Sequence, residues 1–362
     1  MKVVFDCRYT RIGRHDGISR YTAGLVGALA KRHAVTMLIS DHRQLEMLPD
    51  LPWELIDSPT SIREPWVARQ VNKLKPDVVF TPMQTMGGWG RRYRLVLTVH
   101  DLIYYRNRTP PRDLPAFIRL LWRLYHLSWW PQRMLLNRSD AVVTVSKTTK
   151  ELIAEHKLTR RPVHVVPNAA DMPAIPEARA SRTAPETKRL VYMGSFMPYK
   201  NVETLVHAAA LLPEYELHLM SRVTDAERTR LAAVSPSARI VFHNGASDDE
   251  YAETLASATA LVTASLDEGF GIPLVESMTL GTPVVVSDIP IFREIGGDAA
   301  LYFAPHSPEE LAANIRRLEG GEWAARSVAS RAEATRFTWD ASAEHLLAVL
   351  TAAVARSRRR LD

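Results

Sequence analysis

Twelve short apolar, β-branched runs recur along this chain, and helical patterns fill the intervals between them. In the first half they are Val3–Cys7, Val35–Ile39, Val78–Phe80, Leu95–Val99, Ala141–Val145 and Val163–Val166. In the second they are Leu190–Met193, Leu217–Met220, Ile240–Phe242, Ala260–Ala264, Pro283–Val286 and Leu301–Phe303. Continuous Val, Leu and Ile without polar alternation suit strands covered on both faces, as in parallel sheets flanked by helices. Two such sets of six predict an α/β chain made of two Rossmann-like, doubly wound lobes. A length of 362 residues agrees, because single cores rarely grow past about 250–300 residues.

The predicted seam lies near Pro167-Asn168, giving lobes over 1–168 and 169–339. Asp171–Glu186 is rich in Pro, Ala and charge, lacks a period and reads as a linker or surface loop. After Thr338-Trp339-Asp340 the pattern is that of a terminal helix, about 340–362, free to pack back on the first lobe. Its basic end, Arg356–Arg360, reads as solvated. Charge divides at the same seam. Residues 1–170 hold 27 Lys and Arg against 14 Asp and Glu, a balance of +13, and the remainder is at −7. A basic first lobe suits phosphates, anionic lipid heads or nucleic acid.

Composition narrows the class. At 46% hydrophobic and 24% charged, the chain is neither disordered nor fibrous. The single cysteine, Cys7, excludes an intrachain disulfide or a cysteine zinc cluster. No uncharged apolar run reaches the roughly 18 residues of a membrane span. Asp6 comes too early for a signal peptide. The expectation is a soluble cytoplasmic protein.

The segment Asp267-Glu268-Gly269-Phe270-Gly271-Ile272-Pro273-Leu274-Val275-Glu276 is the most informative. It follows the run Ala260–Ala264 and so sits at a carboxyl edge, where open α/β sheets bind ligands. Gly269 and Gly271 permit close backbone approach. Pro273 suits the first turn of a helix, whose free amides would face an anion such as a diphosphate. Glu276, a turn further, is placed to accept hydrogen bonds from sugar hydroxyls. The plainer alternative is a glycine-rich turn capped by a glutamate.

Glu268 and Glu276, in a Glu-x7-Glu inside Glu-Gly-Phe-Gly-Ile-Pro, resemble the signature of the retaining GT4 glycosyltransferases of GT-B fold. Gly17-Ile18-Ser19-Arg20-Tyr21 resembles the amino-terminal block of their mannosyltransferase-like branch. Val99–Leu102, Val143–Ser146, Val165–Asn168, Lys200-Asn201, Ser287-Asp288 and Gly297–Ala300 match further blocks in order. The resemblance implies two lobes facing a central cleft. It implies that Glu268 contacts the donor sugar and Glu276 the nucleotide ribose. The amides of Phe270, Gly271 and Ile272 would touch sugar or phosphate. His100, ending the run Leu95–Val99, would lie beside donor sugar and acceptor. Asp101 reads as a carboxylate that organises its loop.

Gly194–Lys200 follows the run Leu190–Met193. Lys200 would offset charge on a departing diphosphate, the largest electrostatic demand of such a reaction. Family members commonly carry an arginine here as well, where this chain has Ser195 and Tyr199. Arg222 or Arg20 is then a candidate second cation. The loop around Gly13 and Gly17 lacks Gly-x-Gly-x-x-Gly. In the family it crosses near the donor phosphates, with Gly17 giving close approach, while Arg11 and Arg14 read either as anion contacts or as plain surface. No Asp-x-Asp occurs, and Asp248-Asp249-Glu250 opens a helix whose dipole it complements. No metal site and no cofactor is therefore expected.

The implied reaction is metal-independent, retaining transfer of a hexose from a nucleotide sugar, GDP-mannose first among donors, to a glycan or lipid-linked acceptor. Two alternatives stay open: a nucleotide-sugar epimerase of similar build, and a non-catalytic nucleotide-sugar-binding subunit. No nucleic-acid-binding signature is present. Phe117–Trp130 mixes leucines, aromatics and arginines. It reads as a helix packed into the protein or, alternatively, as an interfacial helix holding the chain on the inner face of an anionic membrane.

Overall fold

A computed structural model describes residues 1–110, 116–173 and 182–358. The expected loop over 171–186 and the basic tail over 356–360 fall partly outside these residues. The chain divides into two compact units, one of residues 1–169 with 338–362 and one of 170–337.

The first unit is built on a seven-stranded sheet. Its strands are β1 (Val3–Asp6), β2 (Val35–Ile39), β3 (Trp53–Leu55), β4 (Val78–Thr81), β5 (Arg94–Val99), β6 (Ala141–Thr144) and β7 (Val163–Val165). Their spatial order is β3-β2-β1-β4-β5-β6-β7, and every pairing is parallel. The interior strands β1, β4 and β6 are buried along their whole lengths, as continuous Val/Leu runs require. The terminal helix, Trp339–Arg358, belongs to this unit and lies against the helix Gly17–Ala30. Gly24 allows the approach, since a Cβ there would collide with the Trp339 ring. Ser342 Oγ donates to the Pro167 carbonyl at 2.8 Å and ties the returning chain down.

The second unit holds a six-stranded parallel sheet. Its strands are β8 (Arg189–Tyr192), β9 (Glu216–Leu219), β10 (Ile240–Phe242), β11 (Ala260–Thr263), β12 (Val284–Ser287) and β13 (Leu301–Phe303). They run in the order β10-β9-β8-β11-β12-β13. Connections leave β8 toward one edge and β11 toward the other, so the order reverses between them. Such a reversal opens a crevice at the carboxyl ends of the two strands, which is where ligands bind in open α/β sheets. The core behind it packs Leu190, Tyr192, Leu217, Val262 and Val285 against the helix Val202–Ala210 and the wholly buried Trp323. Trp323 satisfies its indole N–H on the Thr259 carbonyl at 2.9 Å.

Among the described residues, no helix is long and apolar enough to cross a membrane.

Candidate active site

The loop after β8 and the loop after β11 meet at this reversal and are stapled together. Asn201, held in the left-handed region at φ 49, sends Nδ2 to the carbonyls of Ala264 at 3.2 Å and Pro305 at 2.6 Å. The Leu266 amide donates to the Tyr199 carbonyl at 2.8 Å. Upstream, the buried Tyr192 donates its hydroxyl to the Ser195 carbonyl at 2.7 Å. Burial and the neighbouring Glu268 push that phenol well above its ordinary range, so it remains a donor. Ser221 Oγ accepts from the Gly194 amide at 3.1 Å and fixes the start of the same loop.

These constraints place Lys200 Nζ 2.5 Å from Glu268 Oε1, with only 15% and 14% of the two side chains exposed. Glu268 Oε1 also accepts from Ser265 Oγ at 2.8 Å. The cation and the carboxylate expected on separate grounds therefore form one pair, flanking the reversal in strand order. Tyr199 contributes its ring to the Lys200 ammonium, 5.4 Å from the centroid. It stands where family members commonly carry an arginine, and it supplies a π face rather than a second charge.

Gly269 and Phe270 are buried, and the Phe270 ring packs edge-on against Phe337 with centroids 5.5 Å apart. Gly271 ends the turn at φ 98, and a Cβ there would come 3.1 Å from the Phe292 ring. The helix Ile272–Thr279 starts immediately after it, with Pro273 in the first turn and no side chain capping its amino terminus. One turn in, Glu276 is 4% exposed, and its Oε2 accepts from the Tyr251 hydroxyl at 2.9 Å. No local signal marks Tyr251 as part of this site, because it lies 25 residues upstream on another helix. Arg222 is exposed after β9 and lies across Gly245, whose hypothetical Cβ would stand 2.6 Å from Arg222 Cγ. Ser195 is exposed too. The acidic run 248–250 opens the helix Asp248–Ser257, with Ser247 as its cap. Among the described residues, no cluster of three or more His, Cys, Asp or Glu is arranged to hold a metal ion.

In the first unit, His100 follows β5 at the carboxyl edge. Its Nε2 lies 2.7 Å from the Pro82 carbonyl, which can only accept, so Nε2 carries a proton and the neutral ring keeps Nδ1 as its acceptor. Burial lowers the imidazole pKa, opposed by that hydrogen bond and by Asp16. The ring also stands edge-on to Tyr21, with centroids 5.0 Å apart. Gly17 is the exposed first residue of the helix Gly17–Ala30, and Asp16 caps that helix by accepting from the Ser19 amide at 2.9 Å. Arg11 pairs with Asp16, whereas Arg14 is exposed. Asp101 Oδ1 accepts from the Ile103 amide at 3.0 Å and so organises its turn.

An ionic knot at the end of β1 has no counterpart among the sequence motifs. Arg8 Nε and Nη2 bind the two oxygens of Asp6 at 2.8 and 3.0 Å. Its Nη1 and Nη2 reach Glu64 at 2.7 and 3.1 Å, and Nη1 reaches the Asp57 carbonyl at 2.9 Å. A buried guanidinium is tolerated only when paired and hydrogen-bonded in this way. The knot fixes the backbone on which the Gly17 loop begins.

Comparison with known proteins gives the same picture of two halves. The family model described as Glycosyltransferase Family 4 matches residues 15–172, and the one described as Glycosyl transferases group 1 matches residues 175–335. An O-antigen chain mannosyltransferase, RfbU, of Salmonella typhimurium is 24% identical over 86% of this chain and 89% of that protein. Among solved structures, a sucrose-phosphate synthase from Thermosynechococcus elongatus aligns with a TM-score of 0.74 at 19% identity, covering 98% of this chain and 100% of that one. Anabaena HepE in complex with UDP-glucose aligns with a TM-score of 0.71 at 17% identity, covering 97% and 100%.

Proposed function

Because the chain belongs to the family 4 glycosyltransferases, in their mannosyltransferase-like branch and with their GT-B fold, we propose that it moves a hexose from a nucleotide sugar to a hydroxyl of a glycan or lipid-linked acceptor. Mannose, carried on GDP, is the preferred donor sugar. The kinship with a named mannosyltransferase supports that choice, and the UDP-glucose in the Anabaena structure supports a nucleotide sugar as the donor class.

The observation that carries this reading is the Lys200–Glu268 pair on the two sides of the strand-order reversal. A nucleotide diphosphate laid there would meet the Lys200 ammonium and the uncapped amino terminus of Ile272–Thr279. Both are fixed positive partners for charge that grows as the diphosphate departs. Glu268, released from Lys200 by the incoming phosphates, would turn its carboxylate to the sugar hydroxyls. Glu276, steadied by Tyr251, would take the ribose. The first unit would receive the acceptor, with the Gly17 turn and a neutral His100 facing it.

In the retaining reaction the bond between the anomeric carbon and the phosphate oxygen breaks as the acceptor oxygen bonds to the same face of that carbon. The acceptor's proton passes to the departing phosphate oxygen. Lysine and helix amides take the electrostatic part that a divalent ion plays in enzymes built around Asp-x-Asp.

A thermal-shift screen of GDP, UDP, dTDP and their sugars, with and without chelator, tests the donor. The expected result is selective stabilisation by GDP and GDP-mannose that chelator leaves unchanged. Stabilisation by another base would replace the donor assignment, and loss of the shift with chelator would refute the metal-free route.

A further inference from the structure

Among the described residues, β7 pairs with β6 alone and stands at the edge of the first sheet. The Val142 amide donates to the Pro162 carbonyl at 2.9 Å, and the Val166 amide donates to the Thr144 carbonyl at 2.8 Å. Residues 162, 164 and 166 therefore turn their backbone groups toward β6. Alternation points those of Val163 and Val165 away from the sheet. An edge with open donors and acceptors is a template for a further strand.

Space for such a strand lies beside the edge. A cavity of about 700 Å³ is lined by His164 and Val165 of β7, by the helix Lys147–Glu155 and by the terminal helix Trp339–Arg358. All of these belong to the first unit. Ala154, Ala348 and Val349 give the walls apolar surface, while Lys147 and Lys150 rim the opening against one carboxylate, Glu151. Burial lowers the His164 pKa, and Lys150 and Arg356 lower it further, so the field at the edge is positive. A compact ligand would leave the outward groups of Val163 and Val165 unanswered. An extended peptide satisfies them and lays alternate side chains on the apolar wall and the basic rim. Three residues of strand span roughly 10 Å, so a short segment suffices. A second copy pairing β7 with β7 would set Lys147 and Lys150 against their own counterparts, like charge on like. The chain's own end, Arg356–Arg360, carries the same sign as the rim.

We propose that β7 and the groove beside it form a docking site for an extended acidic peptide segment of a partner protein, which adds to the sheet as an eighth strand. The peptide backbone pairs with Val163 and Val165, and its carboxylates meet Lys147 and Lys150. The site is independent of the donor assignment, and its test does not use transfer.

Fluorescence anisotropy of the full chain is measured with three labelled octapeptides: alternating Glu and Val, alternating Lys and Val, and the Glu-Val peptide with every backbone nitrogen methylated. Three variants are run beside the parent. Val165→Pro removes an outward donor and leaves the ladder to β6 in place. Lys147→Glu/Lys150→Glu reverses the rim, and Arg69→Glu/Lys73→Glu is the control; all four of these side chains are exposed. Circular-dichroism melting shows whether each variant folds, and should Val165→Pro not fold, the methylated peptide carries the backbone test. The parent and the control should bind the Glu-Val peptide about ten-fold or more tighter than the Lys-Val peptide, less so as salt rises. The rim variant should reverse that preference, and Val165→Pro or methylation should each weaken binding by about ten-fold or more. Failure of the parent to bind the Glu-Val peptide at low salt would overturn the proposal. Equal binding of the methylated peptide would do the same, by reducing the contact to charge alone. A parent dimer in light scattering that Val165→Pro converts to monomer would assign the edge to a second copy instead.

Discussion

Glu268 shares one oxygen between Lys200 and Ser265, which makes Glu268→Gln an informative substitution. The amide keeps an acceptor for Ser265 but releases Lys200 from its counter-charge. We expect kcat to fall by about 10²-fold or more, with binding of the nucleoside diphosphate retained or tightened. Single-turnover transfer and calorimetric titration separate the two effects, and an unchanged kcat would remove Glu268 from the reaction. On the proposed reading, Tyr251 acts by positioning Glu276, whose Oε2 accepts from its hydroxyl. Tyr251→Phe leaves a buried carboxylate one hydrogen bond short, a loss of about 1–3 kcal/mol. Urea unfolding would show that loss, and the donor KM should rise more than kcat falls. Glu276 and Lys200 are legible as candidates because glycines, a proline and a strand end surround them in the sequence, whereas Glu268 becomes one only through the family resemblance of its segment. Tyr251, and the Glu64 partner of Arg8 at 56 residues' remove, are not legible, since nothing local marks a side chain whose partner is supplied by tertiary folding.

At the level of elements, strands buried on both faces announce themselves, because burial on each side forces an unbroken apolar run. All twelve expected runs form strands. The thirteenth strand, β3, carries no such signal: its three residues, Trp53–Leu55, lie at the sheet edge and are all exposed, so neither alternation nor continuity betrays it. Helix–helix contacts are equally silent in sequence. Gly24 looks like any small residue in an amphipathic helix, yet it is the seat of Trp339. Gly24→Ala should destabilise the first unit by roughly 1–3 kcal/mol, since the added methyl overpacks a rigid indole. A parallel Trp339→Ala background should blunt that loss, and additive losses in the double variant, measured by denaturant unfolding, would refute the contact.

For the molecule as a whole, acid sensitivity follows from its imidazoles. His100, His126, His164 and His218 are each held below their ordinary pKa, in every case first by burial. In the unfolded chain they take up protons near about pH 6.5, so between that value and their lower folded values the unfolded state binds more protons. Stability is therefore full above about pH 6.5 and declines as pH falls through the folded pKa values. Thermal melts from about pH 7 down to about pH 5 should show a falling Tm, and a flat Tm over that interval would contradict the assignment. Carboxylates held below their usual range, such as Asp288 beside Arg293, act at lower pH and do not mask the window.

The first unit is also discontinuous in the chain, since the helix Trp339–Arg358 returns to it after the second unit is complete. A ribosome making this protein would expose β1 through β7 early and leave the Trp339 seat on Gly17–Ala30 bare while residues 170–337 are translated. The face of Gly17–Ala30 that seats Trp339 is thus closed only after the residues of the second unit have been made.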